Sequence, residues 1–260
     1  SEAEIAEQLA SVRTGYENRA ANAATRSNNQ FVGNAFTLAR SDFVVTGPDV
    51  SLARFESVAG DVTPDNVLSA MREKFFELEE PLIRFTGKTA PEGGETALRD
   101  AVTAAYAREL SPPEETAMAE FAYTDFGTPG EVVSDTTSED LGIRTLRFAN
   151  GVMLNLKRTD LQDDRISIRA FIDGGQMLRS KENPLAVELA GLLSSGGLGQ
   201  HSRDELQSIL AGRSVGGGFG GGGDVFYSGG GTTPRDFKLQ LQLLAAYITD
   251  PGYRPEGLGP

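Results

Sequence analysis

The 260-residue chain has no cysteine. That excludes disulfides, thiolate metal sites and cysteine nucleophiles. It leaves the redox compartment open, since a cysteine-free chain suits cytosol or periplasm alike. There is one histidine, His201. A catalytic zinc takes three protein ligands, commonly His-rich. With no second His, Asp204 and Glu205 are the nearest helpers, and Glu205 reads better as a helix cap. His201 is therefore expected to be a solvent-exposed loop residue without a metal. A Ser-His-Asp arrangement would need the same histidine, and no G-x-S-x-G elbow is present. Positive charge is scarce: 24 Lys and Arg against 37 Asp and Glu, a net charge of −13. Such a surface repels nucleic acid and anionic membranes, so no nucleic acid and no membrane are expected as partners. No apolar run reaches the roughly 18 residues of a membrane-spanning helix. The opening "SEAEIAEQLA" is acidic and amphipathic, unlike a secretory signal. It reads, like the closing "GYRPEGLGP", as a cut inside a longer protein.

What is present is enough for a core, with 39% apolar residues. Ile5, Leu9, Val12 and Tyr16 recur at helical spacing and predict a helix over 3–27. A second is predicted over 31–45. A third follows Thr63 as N-cap and Pro64 at the first helical position, with Val67, Leu68, Met71 and Phe75 as its buried stripe. "PLIRFTGK" (81–88) reads as a short strand. Residues 91–140 read as an interdomain linker: one helix in "TALRDAVTAAYAREL", a stop at "SPPEE", then an extended connector. The rest reads as hairpin strands with helices. Asn150-Gly151 sits between alternating runs and predicts a two-residue type I′ turn. Ile166, Ile168, Ala170 and Ile172 share one strand face. "NPLAVELAGLLSS" is an apolar helix. "SRDELQSILAG" is a shorter one, with Ser202 and Glu205 as a capping box and Gly212 beyond its end. The last helix takes Thr233 as N-cap and Pro234 at its first position, with Phe237, Leu241, Leu244 and Ile248 as its inner stripe. The class is α+β, an antiparallel sheet with packed helices.

Ten of the sixteen residues from Gly216 to Gly231 are glycine. A P-loop needs a lysine after its glycines, and no Lys or Arg lies between Ser214 and Pro234. Gly216, Gly218 and Gly221 meet G-x-G-x-x-G, a nearly free match in such a run. A helix, not a strand, precedes it, so a dinucleotide site is not expected. Val215, Phe219, Val225, Phe226 and Tyr227 read as strand residues with glycine between them, marking close backbone approach. The carboxylate clusters "FELEEP", "LQDDR" and "TSEDL" read as solvated charge. Arg158 and Arg165 flank the second and are expected to pair across a turn.

"LRFANGVMLNLKRTD", "RISIRAFIDGG", an apolar helix, "GGLGQHSRDELQSILAG", a Gly-rich strand and "TTPRDFKLQLQLLAAYITDPGYRPE" follow one another in an order that resembles the insulinase/pitrilysin-type zinc metallopeptidases, family M16. "RTGYENRAANAATRSNNQFVGN" and "TPDNVLSAMREKFFELEEPLIRFTG" resemble the closing part of a preceding domain of that family. The resemblance implies metallopeptidase-like LuxS/MPP-type domains, both partial here. Residues 1–90 would end one domain, 91–140 link, and 141–260 begin a degenerate one.

In that family one domain carries H-x-x-E-H and a distant Glu, which bind zinc and activate water. At the matching positions this chain has Val187, Ala190 and Gly191, which can neither ligate a metal nor take a proton. The resemblance thus implies a segment with no catalytic and no metal-binding residue and no cofactor of its own. The parent enzyme would hold zinc and degrade peptides between two closing halves, with this segment as chamber wall. No substrate-binding residue is assigned. A scaffold or peptide-binding protein of the same fold, lacking any catalytic copy, is the alternative. A periplasmic location is implied for the parent, and partial domains imply exposed apolar faces and self-association.

Overall fold

The computed structural model describes residues 1–75, 82–109 and 119–255. These residues divide into two compact units. One holds Ser1, Glu2 and the described chain from Val62 to residue 109, and the other holds Ala3–Asp61 and 119–255. The stop at "SPPEE" and the carboxylates of "FELEEP" lie outside the described residues.

Two helices, α4 (Pro64–Phe75) and α5 (Gly94–Ala107), make up the first unit. Thr63 starts α4 as its sequence demands: Asn66 N–H donates to Thr63 Oγ1 at 3.3 Å, and Thr63 N–H donates to Asn66 Oδ1 at 2.9 Å. The stripe read on α4 is not buried, since Leu68 and Met71 are 45% and 41% exposed. Residues 82–87 are irregular rather than a strand. No strand among the described residues of that unit offers them ladder partners, and an unpaired backbone gains nothing by extending.

The second unit opens with α1 (Glu2–Ala21), α2 (Asn28–Arg40) and α3 (Pro48–Ala59). The sequence reading missed α3, although Pro48 and Asp49 in its first turn are start signals. It docks on α1 by stacking Phe55 on Tyr16, centroids 5.2 Å apart, and by an Arg13–Glu56 ion pair at 2.7 Å. The opposite face of α1 is held by polar contacts. Thr14 Oγ1 donates to the Gly212 carbonyl at 2.7 Å and Asn18 Nδ2 to Ser214 Oγ at 2.8 Å. Thr14 is buried, while Val12, assigned to the inner stripe, stays 44% exposed. Two hydrogen bonds to a distant loop thus set the rotation of α1.

Two three-stranded antiparallel sheets follow. The first joins β1 (Val132–Ser138), β2 (Ile143–Phe148) and β3 (Met153–Lys157) in that order. The stretch read as an extended connector therefore contributes a strand, with Asp135 opposite Leu146. The β2–β3 turn is not type I′. Gly151 N–H donates to the Phe148 carbonyl at 2.9 Å, and Phe148 N–H to the Val152 carbonyl at 2.9 Å. That is a three-residue loop: a type I turn closed by Gly151 at φ +89°. Asn150 keeps a negative φ, and its Oδ1 takes the Val152 N–H at 3.2 Å. Met153, Leu154 and Leu156 of this sheet are 40–49% exposed.

The second sheet has the order β4-β6-β5, from β4 (Ile166–Asp173), β5 (Gly218–Gly221) and β6 (Val225–Thr232). Between β4 and β5 come a 3₁₀ segment, Glu188–Gly196, and α6 (Arg203–Ile209). The former was read as an α-helix. Gly191 sits mid-segment and Gly196-Gly197 ends it, and both disfavour an α-helix. The capping box of α6 forms as read, with Glu205 N–H on Ser202 Oγ at 3.1 Å and Ser202 N–H on Glu205 Oε2 at 2.7 Å.

The last helix, α7 (Phe237–Thr249), begins three residues later than expected. Asp236 holds the cap position, and Thr233 Oγ1 is buried with no hydrogen-bond partner among the described residues. The inner face is also different. Gln240, Leu243 and Ala246 are buried, while Phe237, Leu241 and Ile248 are 37–44% exposed. Two polar side chains decide this rotation: Asp236 Oδ2 takes the Ser214 N–H at 2.7 Å and Gln240 Oε1 takes the Gly216 N–H at 2.9 Å. The core behind them joins Leu198, Leu206, Leu243 and Ala246 to Tyr123.

The glycine excess has a packing cause. On the face of β6 turned to residues 214–217, a Cβ at Gly230 would overlap the Gly216 carbonyl. On the opposite face Gly231 lies under the Arg165 guanidinium, and Gly220 under the ring of Tyr227, its direct cross-strand partner. Both side chains lie flat where a Cβ would otherwise stand. Gly230→Ala is expected to lower stability by about 1–3 kcal/mol through overpacking, read as a shifted urea midpoint. An unchanged midpoint would remove the close-approach explanation.

Candidate functional site

Val187 caps the 3₁₀ segment, and Ala190 and Gly191 lie in it, against β5. Val187 and Ala190 are 6% and 7% exposed. A Cβ at Gly221 would stand 3.3 Å from the Val187 carbonyl, and one at Gly191 would stand 3.4 Å from the Phe219 carbonyl. Backbone thus lies almost on backbone, which the glycines permit. The Arg179–Glu188 ion pair at 3.2 Å holds the start of the segment. Beside it runs an apolar groove of about 440 Å³, lined by Leu189, Leu193, Phe219, Phe226 and Tyr253. Among the described residues no three His, Asp or Glu gather in metal-binding geometry. Val187, Ala190 and Gly191 carry no acidic, basic or metal-ligating side chain, and Glu188 among them is paired with Arg179.

His201 is the main correction. It is 4% exposed, not a solvent-facing loop residue. Its Nε2 accepts the Ala122 N–H at 2.9 Å, so that nitrogen carries no proton. The ring stacks on Phe121 with centroids 5.8 Å apart and meets the Tyr123 ring edge-on at 6.0 Å. Around it a polar latch closes the loop 196–202. Tyr123 OH donates to Asp250 Oδ2 at 2.6 Å and accepts the Gln200 N–H at 2.8 Å. Burial and the Asp250 carboxylate push the Tyr123 phenol up from its ordinary value. Arg254 donates to the carbonyls of Gly196, Leu198 and His201 through Nη1 and to Gly199 through Nη2. The latch orders the segment that follows the wall and leaves His201 no free ring nitrogen to spare on its Nε2 side.

A second buried polar centre is Asp236, whose side chain has no exposed surface. Arg213 Nη1 and Arg235 Nη2 donate to it at 3.0 and 2.8 Å, beside the Ser214 N–H. Burial opposes its charge, but Arg235, the Ser214 N–H and Arg213 outweigh burial and hold the carboxyl below the usual range. Tyr123, Asp236, Gln240 and Arg254 were not singled out in the sequence. Their partners lie up to 127 positions away, as for Tyr123 and Asp250, and no local spacing signals that. The Arg165 pairing with the "LQDDR" carboxylates is not found: Arg165 has no ion-pair partner among the described residues.

No protein-family model matches the chain, and no curated protein matches it. Among solved structures it is similar to the ferredoxin protease FusC, crystallised as a mutant in complex with Arabidopsis ferredoxin. The TM-score is 0.50 at 15% identity, over 98% of this chain and 29% of that one. The periplasmic protease PqqL from Escherichia coli gives a TM-score of 0.46 at 15% identity, over 96% of this chain and 28% of that one, too coarse to argue from. At 15% identity the likeness to FusC is one of fold alone. The fold is α+β and similar to that of the ferredoxin protease FusC. The chain spans less than a third of the length of either protein.

Proposed function

We propose that this chain is a non-catalytic segment of a zinc-dependent metalloendopeptidase, forming chamber wall and peptide-binding surface in a parent that closes over unfolded peptide. The observation that supports the reading is the packing at the inner 3₁₀ segment: Val187, Ala190 and Gly191, which the family resemblance matches to a zinc motif, lie against the glycine-rich β5 with an apolar groove beside them. The fold likeness to a protease supports the setting. Zinc belongs to the parent, held by residues other than these, and the peptide is the parent's substrate. A periplasmic location for the parent belongs to the same proposal and rests on the family resemblance. Among the described residues no helix is long and apolar enough to cross a membrane.

The test is zinc loading of the purified chain, followed by metal analysis and by incubation with an unstructured fluorogenic peptide. The expected result is no stoichiometric zinc and no cleavage. One zinc per chain with cleavage would overturn the reading. Light scattering on the same preparation reads self-association, which the exposed Met153, Leu154 and Leu156 favour; a monomer at every concentration would count against it. A parent sequence with no H-x-x-E-H anywhere would turn the reading to a scaffold or peptide-binding protein.

A further inference from the structure

The second unit carries two surface grooves that meet at Arg165. One, about 690 Å³, lies on the outer face of β4 and β6, with Arg165 and Arg169 along its side and Gly229 and Gly231 in its floor. The other, about 470 Å³, runs from there between α1 and the segment 45–51, past Arg19 and Arg26. Among the described residues no Asp or Glu lines either groove. That is unexpected on a chain of net charge −13. Chance would have put carboxylates among these lining residues.

The four arginines have no carboxylate partner among the described residues. Arg19 and Arg26 donate Nε to the carbonyls of Gly15 and Ala23, at 2.9 Å each, and lie over the rings of Tyr16 and Phe31 at 4.6 and 4.8 Å. Arg165 lies across Gly231. Arg19, Arg26 and Arg165 are positioned without being neutralised. Of the nearest acids in sequence, Glu17 lies 3.8 Å from Arg235, and Asp164 also acts on Arg235. With a Debye length of about 8 Å at physiological salt, distant carboxylates are screened and the local arginines set the potential of the groove.

The remaining lining of the α1 groove separates possible anions. It is rich in side-chain amides, among them Asn18, Asn22, Gln30, Asn34 and Gln162. Amides both donate and accept, as an extended peptide backbone requires. A peptide supplies both N–H donors and carbonyl acceptors to such side chains; a fully ionised phosphate brings only acceptors.

From this geometry we infer that the joined grooves bind an extended acidic peptide segment, its carboxylates on Arg19, Arg26, Arg165 and Arg169 and its backbone on the amides. This site is separate from the inner 3₁₀ wall. It adds a substrate class to the peptidase reading but stands or falls on its own residues.

A short fluorescein-labelled peptide alternating Glu and Ser, titrated with the 260-residue chain, tests it by fluorescence polarisation. Saturable binding is expected, weakening with added salt. Its Gln-for-Glu analogue should bind about tenfold more weakly, and so should the Arg26→Gln/Arg165→Gln variant for the acidic peptide. Arg99→Gln, whose partner Glu95 lies within α5, should leave binding unchanged. The two grooves are surface features, and the salt series on the unaltered chain reads the same electrostatics without any substitution. Absence of binding, equal binding of the analogue, or full affinity in the double variant overturns the proposal. So does displacement of the peptide by inorganic phosphate or by oligothymidylate at matched charge, which would make the groove a general anion or nucleic-acid site. None of these outcomes changes the zinc and cleavage results above, so the two readings fail separately.

Discussion

Asp236→Asn lowers the stability of the chain by about 2–4 kcal/mol, measured by urea unfolding at neutral pH. The carboxylate is fully buried and receives three donors: Arg213, Arg235 and the Ser214 N–H. Asparagine keeps the shape but presents an NH₂ to groups that only donate. Arg213 and Arg235 are about half exposed and recover part of their loss in water, which keeps the effect below that of a wholly buried pair. The pH dependence follows from the direction of the shift. A carboxyl held below its unfolded value stabilises fully above that value, near pH 4, and loses the contribution as pH falls through the lower folded value. The parent chain therefore loses stability more steeply below about pH 4 than the Asn variant does. Matching midpoints and matching acid slopes would show that Asp236 does not hold residues 213–216 to α7.

Arg254→Met costs about 2–4 kcal/mol and loosens the loop 196–202. Methionine fills the space of the arginine stem, so the change isolates the donors. Four carbonyls lose a charged partner at once: Gly196, Leu198, Gly199 and His201. Leu198 and His201 exchange backbone hydrogen bonds with each other at 2.8 and 3.1 Å, so their amides report the latch directly. Hydrogen exchange at these two amides should accelerate in the variant, while amides in β2, on the other sheet, keep their protection. Loss of stability without faster exchange at the latch would mean that the loop is held by the packing of Leu198 and Tyr123 alone.

Both variants act on contacts that a reading of the chain in order does not see. The glycine run shows the division well. Its strand character was legible, because Val225, Phe226 and Tyr227 stand between glycines with no lysine to suit a phosphate. The reason for so many glycines was not legible. It needs Arg165 across Gly231, Tyr227 over Gly220 and the Gly216 carbonyl against Gly230, and two of those three contacts come from outside β5 and β6. The Asn150-Gly151 turn is a nearer miss. Its place was right and its type wrong, because a type I turn closed by a left-handed glycine and a type I′ turn share the same dipeptide. Arg165 illustrates the opposite error. Adjacent carboxylates made a local ion pair the natural reading, and the fold laid Arg165 across Gly231 instead.

What the sequence determined by itself are the features governed by neighbours a few residues apart. Thr63 and Ser202 start their helices through bonds to residues three positions on. The alternation in β4 assigns its faces. Tertiary structure alone decided the rotation of α1 and α7 and the burial of His201. Each depends on a buried donor meeting an acceptor from a remote segment. An unpaired buried polar group costs more than the exposure of one apolar side chain, so Asp236 and Gln240 turned inward and Phe237, Leu241 and Ile248 were left outside.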